Sequence, residues 1–149
     1  WLEGKPHGQG TLRFPDGQTY SGQWLHGRRH GSGKETYPGG DLYDGHWSAD
    51  RREGIGLYRL ANGEKYEGSW HHNLRHGEGT YTFANGQSIQ GTWNRGRLVR
   101  GVGGFAFPDG DTYEGTWAQD AMHGTGVYTQ ANGMQIKGAW VQNRLATGY

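Results

Sequence analysis

The sequence has 149 residues, a formal net charge of +1, 32% hydrophobic residues and no cysteine. That combination excludes a disulfide framework and a thiolate metal centre, a strong global field for nucleic acid and an apolar run long enough to span a membrane. Thirty glycines, roughly three times the usual share of about 7%, stand beside seven Trp and nine Tyr; disorder would deplete the rings, so the chain is expected to order around a thin core of large aromatics.

The chain opens on Trp1 without an initiator Met and is expected to be a piece cut inside a repeat. Tryptophan recurs at Trp1, Trp24, Trp47, Trp70, Trp93, Trp117 and Trp140, with one spacing of 24 residues among spacings of 23. A fixed period in this range means one supersecondary unit stacked on copies of itself. In the first unit, Gly8, Gly10, Leu12 and Phe14 lead into Pro15-Asp16-Gly17, and Tyr20, Gly22 and Trp24 follow. Pro or a neutral residue, then Asp or Asn, then Gly suits a type I turn closed by a left-handed residue, hence a hairpin with a three-residue loop. Parity supports it: with three loop residues Leu12 pairs Tyr20, Gly10 pairs Gly22 and Gly8 pairs Trp24, so every ring shares one face. A two-residue loop would split the rings between faces. The glycines then lie on the ring face, and each Trp is expected to cover the Gly pair of a neighbouring strand. The expected fold is all-β: a single-layer, twisted, elongated antiparallel meander of hairpins. One repeat array over 1–149 divides into units of about 1–23, 24–46, 47–69, 70–92, 93–116 and 117–139, with a partial unit 140–149.

Later units depart from the plan. Glu35 and Gln130 replace rings on first strands, Ile89 and Ile136 replace tyrosines, and Glu53 and Arg100 take a slot held by His7, His30, His76 and His123. One extra residue between Trp93 and Gly101 predicts a bend or local loosening there.

Through Tyr66-Glu67-Gly68-Ser69-Trp70 followed by His76-Gly77-Glu78-Gly79, and Tyr113-Glu114-Gly115-Thr116-Trp117 followed by His123-Gly124-Thr125-Gly126, the chain resembles the MORN-repeat family (membrane occupation and recognition nexus). The resemblance covers essentially the whole chain. It implies hairpin repeats, scaffold roles in membrane-associated cytoskeleton, cilia and membrane contact sites, and either anionic-lipid or protein binding.

Catalytic signals are weak. No nucleophile elbow or P-loop is present, and Asp109 and Asp111 flank a turn. A His recurring once per repeat reads as structural. The chain is therefore expected to be no enzyme and to carry no cofactor. Adjacent His71 and His72 are not expected to meet one ion on a strand, and an interface zinc through His71, His72 and His123 is a minor alternative.

The favoured function is a non-enzymatic, self-associating scaffold, cytoplasmic and cytoskeletal or membrane-proximal. Its partner groove is expected at Tyr20, Trp24, Tyr43, Trp47, Tyr66, Trp70, Trp93, Tyr113 and Trp117, uncovered in a one-layer sheet. The loops between repeats are expected to form a basic rim of Arg28, Arg29, Arg51, Arg52, Arg75, Arg97 and Arg100. The alternative is direct binding of phosphoinositide headgroups by that rim. The more aliphatic C-terminal end predicts a two-fold homodimer through Tyr128, Ile136, Trp140, Leu145 and Tyr149. Expected partners are a second copy of the chain and cytoskeletal or scaffold proteins, with anionic lipid in the alternative and no nucleic acid.

Overall fold

A computed structural model describes residues 4–148, with side chains described through Ala146. Trp1 and Tyr149 lie outside the described residues. Thirteen strands form one antiparallel sheet in sequence order: β1 (Gly8–Arg13), β2 (Thr19–Leu25), β3 (Arg28–Thr36), β4 (Leu42–Ser48), β5 (Arg51–Arg59), β6 (Lys65–His71), β7 (Leu74–Thr82), β8 (Ser88–Asn94), β9 (Arg97–Ala106), β10 (Thr112–Ala118), β11 (Ala121–Thr129), β12 (Gln135–Val141) and β13 (Arg144–Gly148). The chain divides into two compact units, Trp1–Arg75 and His76–Tyr149.

Within the first unit the hairpin register is the one that parity requires: Leu12 opposite Tyr20, Gly10 opposite Gly22 and Gly8 opposite Trp24. The Phe14 N–H donates to Gln18 and the Gly17 N–H to Phe14, closing the three-residue loop with Gly17 at φ 98°. The Asp16 carboxylate accepts the Gln18 N–H at 2.9 Å, and Asn62 does the same for Glu64. A short acceptor in the middle of the loop thus fixes the chain where it re-enters the sheet. The second unit repeats the device at Asn85, Asp109 and Asn132.

The connections between repeats are tighter than expected. Leu25 pairs Arg28, leaving only His26-Gly27 as the turn. The equivalent pairs Ala49-Asp50, His72-Asn73, Gln119-Asp120 and Gln142-Asn143 have φ between 46° and 70°, as a two-residue turn of the primed type requires. Arg28 and Arg29 therefore begin a strand and do not hang in a loop. A bulge follows at once: Gly22 pairs Gly33 but Trp24 pairs Arg29, so the segment His30–Ser32 faces Gln23 alone. A bulge re-aims side chains, and here Arg29 is carried onto the ring face opposite Trp24.

The 24-residue spacing gives no interruption. Thr92 pairs Arg100 and Trp93 pairs Leu98, with Val99 as the surplus residue. What changes is register: Gly91 meets Gly101, the first glycine of its pair, whereas Gly22 meets the second, Gly33. This is also a repeat in which Ile89 stands in the tyrosine slot, so no phenol has to lie on the second glycine.

The core is one face of the sheet. In the first unit it consists of Tyr20, Trp24, Tyr43, Trp47, Tyr66 and Trp70; in the second, of Ile89, Trp93, Leu98, Tyr113, Trp117, Met122 and Trp140.

Candidate functional site

Tyrosine covers the second glycine of the pair on the following strand, while Trp24 lies over Gly10, 3.5 Å from where a Cβ would stand. A Cβ on Gly33 would stand 2.0 Å from the Tyr20 hydroxyl, and one on Gly56 2.2 Å from that of Tyr43. The phenols lie flat on bare backbone and donate onward, Tyr20 to the Gln23 carbonyl at 2.8 Å and Tyr43 to that of His46 at 2.9 Å. Each indole instead donates to a glycine carbonyl fourteen residues back. In the first unit Trp24 reaches Gly10, Trp47 reaches Gly33 and Trp70 reaches Gly56, all at 3.0–3.1 Å. Tyrosine and tryptophan rings meet edge to face, with centroids 4.9 Å apart for Tyr20 and Trp24 and 5.4 Å for Tyr20 and Trp47. Such contacts add roughly 0.5–1.5 kcal/mol beyond burial.

This packing corrects the expected partner groove. The tyrosines Tyr20, Tyr43, Tyr66 and Tyr113 are at most 1% exposed, and Trp24, Trp47, Trp70, Trp93 and Trp117 at most 7%. They are the core and offer no surface, because strand-to-strand stacking presses each ring against the rings and glycines of the next repeat. A second aromatic row, on the first strands or one residue past their ends, stays half-buried: Phe14, Tyr37 and Tyr58 in the first unit, Tyr81, Phe83, Phe105, Phe107 and Tyr128 in the second. Tyr37 and Tyr58 stack at 6.0 Å, and Phe105 meets Phe83 and Phe107 edge-on, each at 4.9 Å.

The basic rim is corrected too. Arg29 lies 4.8 Å from the Trp47 ring centroid and 5.6 Å from Phe14. Arg52 lies 5.0 Å from Trp70 and 5.1 Å from Tyr58, and Arg75 lies 5.8 Å from Tyr66. These guanidiniums lie against the aromatic face as cation–π partners. In the second unit Leu98 and Met122 fill the same slot, five residues after a tryptophan, and are 3% and 4% exposed. Arg28, Arg51, Arg97 and Arg100 remain exposed.

Glu35, in a slot filled elsewhere by Leu12 or a ring, is 1% exposed and the buried charge among the described residues. Arg29 donates to it at 2.6 Å and the Tyr37 hydroxyl at 3.0 Å, while Arg29 also pairs Asp50 at 3.1 Å. Burial pushes Tyr20 up to about 12 and raises Tyr37 and Tyr43 as well, with the Glu35 charge adding to the first two. Tyr128 is pushed up to about 12, first by its hydrogen bond to Asp111 and then by burial.

The recurrent His slot also has a visible task. In two repeats its side chain accepts the N–H of the first turn residue of the next repeat: Glu53 from His72 at 2.8 Å, and His76 from Arg95 at 3.3 Å, whereas the buried His7 Nδ1 has no hydrogen-bond partner. Glu53 gathers more. Its second oxygen is 3.1 Å from His71 Nδ1, and His72 Nδ1 is 3.9 Å from the first. The two imidazole centroids are 3.9 Å apart. The two residues do not share a strand: His71 ends β6, but His72 opens the turn at φ 47°, where the rings come together. The group is Glu53, His71 and His72; His123 belongs to the other unit. Burial pushes the Glu53 carboxyl up, but the His72 N–H, the His71 hydrogen bond and both imidazoles outweigh it and hold the carboxyl below its usual range.

At the C-terminal end the expected dimer residues are unevenly available. Trp140 is 6% exposed, and Tyr128 packs on it at 5.6 Å while donating to Asp111 at 2.7 Å. Ile136 is half-buried. Leu145 is 44% and neighbouring Val141 50% exposed.

The MORN-repeat family model matches residues 1–19, 20–42, 43–65, 66–88 and 113–135. The chain belongs to the MORN-repeat family. The match passes over 89–112, where the extra residue and the shifted register lie. Membership in the MORN family supports a protein- or membrane-interaction scaffold. No curated protein matches the chain at a significant level. Among solved structures, the MORN array is similar to the SAS-4 (dCPAP) TCP domain of Drosophila melanogaster, solved in complex with a proline-rich motif of Ana2 (dSTIL). Identity is 15% over 87% of this chain and 70% of that one, with a TM-score of 0.46. It is also similar to virginiamycin B lyase from Staphylococcus aureus at 11% identity over 91% of this chain and 42% of that one, with a TM-score of 0.20. Neither likeness is close enough to carry an argument about function.

Proposed function

We propose that this MORN array is a non-enzymatic scaffold that docks protein partners on its half-exposed first-strand aromatic row. The observation that carries the reading is the division of the rings. The Tyr and Trp rows are sealed in the core, while Phe14, Tyr37 and Tyr58 in one unit and Phe83, Phe105 and Phe107 in the other keep an accessible edge. Within each unit, such an aromatic edge on an ordered sheet suits a partner segment of mixed apolar and polar character. Arg52, beside Tyr58, and Asp41, which accepts the Tyr58 hydroxyl at 2.9 Å, supply charge of both signs along it. The reading places the protein in the cytoplasm at a cytoskeletal or membrane-proximal structure. Self-association would use the exposed Val141 and Leu145 rather than buried Trp140.

Selection of displayed peptides against the protein tests this reading. Binders that are lost on Tyr37→Ser or Tyr58→Ser and are insensitive to salt support it; binders indifferent to both variants overturn it. The second reading, phosphoinositide binding, now rests on Arg28, Arg51, Arg97 and Arg100. Co-sedimentation with phosphoinositide vesicles that fades between low and physiological salt and disappears in Arg28→Ser/Arg51→Ser would favour it. Light scattering on the same samples reports the dimer, and Val141→Ser/Leu145→Ser should then give a folded monomer.

A further inference from the structure

We propose that Glu53, His71 and His72 form a binding site for a zinc-class divalent cation that fastens one repeat to the next. Two departures from the repeat, Glu53 and His71, meet a turn histidine, His72, at this point. Glu53 stands where other units carry His or, once, Arg100, and His71 and His72 stand where they carry Leu25-His26, Ser48-Ala49, Asn94-Arg95, Ala118-Gln119 and Val141-Gln142. Stacking does not require them, since the other repeats stack without the trio. Yet the hairpin between β5 and β6 and the turn after β6 bring all three ligand atoms within 4.8 Å of one another.

The spacing suits a tetrahedral ion. Nitrogen and oxygen ligands at about 2.0–2.2 Å from zinc stand about 3.3–3.6 Å apart. Glu53 stands 3.1 Å from His71 Nδ1 through one oxygen and 3.9 Å from His72 Nδ1 through the other, distances that lie to either side of that edge. Two imidazoles and a carboxylate are a borderline-soft donor set, which prefers zinc, cobalt, nickel or copper to magnesium or calcium. Glu53 is already oriented, because the His72 N–H holds one of its oxygens at 2.8 Å. Both histidines are exposed, so an ion has an open path and would keep water in its remaining position. Arg51 donates to His72 Nδ1. Its cation occupies one ligand nitrogen and repels a metal, and it must swing away for the site to load.

Titration of the tag-free full chain with zinc chloride by calorimetry, and with cobalt by its visible absorption, tests the site. One metal per chain is expected. Glu53→Gln, which keeps an acceptor for the His72 N–H, and His71→Gln should each weaken binding by about tenfold or more while the apo proteins melt as wild type does. Arg51→Ala should tighten binding several-fold, an effect that a merely structural Glu–His cluster would not show. His123→Gln should change nothing. The proposal is overturned if no one-to-one binding occurs, if binding survives both ligand substitutions, or if it depends on His123.

Discussion

Tyr20 and its counterparts Tyr43 and Tyr113 explain why this sequence tolerates so many glycines. Each phenol occupies the space that a Cβ would take, so the glycine is required by a close approach of ring and backbone. Gly33→Ala should destabilise the protein by about 1–3 kcal/mol, since Tyr20 is fully buried and cannot move. Gly39→Ala, with nothing within 4 Å of the new Cβ, should stay within about 0.5 kcal/mol. Urea melts of both variants decide; equal losses would remove the tyrosine-on-glycine account. The arginines on the face differ among themselves. Arg29→Met strands the buried Glu35 without its ion partner and should cost about 3–5 kcal/mol. Arg52→Met loses a cation–π contact and hydrogen bonds to Asn73 but strands no buried acid, and should cost under about 2 kcal/mol. Raised tyrosine pKa values set an alkaline limit. Unfolded tyrosine ionises near 10.0 and Tyr20 near 12, so above pH 10 the unfolded state holds fewer protons and stability falls until the folded pKa is passed. Ultraviolet titration should show these phenols ionising together with loss of the sheet, not before it.

Two kinds of turn make the repeat. The three-residue hairpin loop was legible because its Pro-Asp-Gly and Ala-Asn-Gly triplets name their own φ values and parity left one register that gathers the rings. The two-residue turn between repeats was not, because His26-Gly27, Ala49-Asp50 and Gln119-Asp120 share no sequence beyond a small or polar second residue. What unites them is tertiary. Asp50, Asn73, Asp120 and Asn143 each donate their own N–H to a carbonyl of the preceding repeat and accept that same residue's N–H on a side-chain oxygen. The residues so gripped are Arg29, Arg52, Leu98 and Met122. The clamp fixes the residue that the bulge turns onto the ring face. Asp120→Asn keeps the acceptor and should cost under about 1 kcal/mol. Asp120→Ala removes it and leaves a residue without a side-chain acceptor at φ 62°, for a loss of about 1–3 kcal/mol by chemical denaturation.

For the whole chain, each strand pairs only with its sequence neighbours, so stability should accumulate by nearest-neighbour terms. Removing one full period, residues 24–46, joins Gln23 to Trp47 and restores the local pattern. The shortened protein should fold, with a lower midpoint and a denaturant slope reduced in proportion to the buried surface lost. Unfolding in unrelated steps, or failure to fold, would contradict a neighbour-coupled array.

The sequence by itself determined the repeat, the strand order, the hairpin register and the face on which the rings gather, because a period of 23 and a side-chain alternation of two are local properties that stacking can only copy. Tertiary structure decided which rings are sealed and which remain open. It also decided which arginines lie on the aromatic face instead of at the rim, and that Glu53 comes into reach of His71 and His72. Those outcomes depend on a bulge and a tight turn that shift one strand against the next, and on groups 18 or more residues apart that meet only once the neighbouring strand is in place.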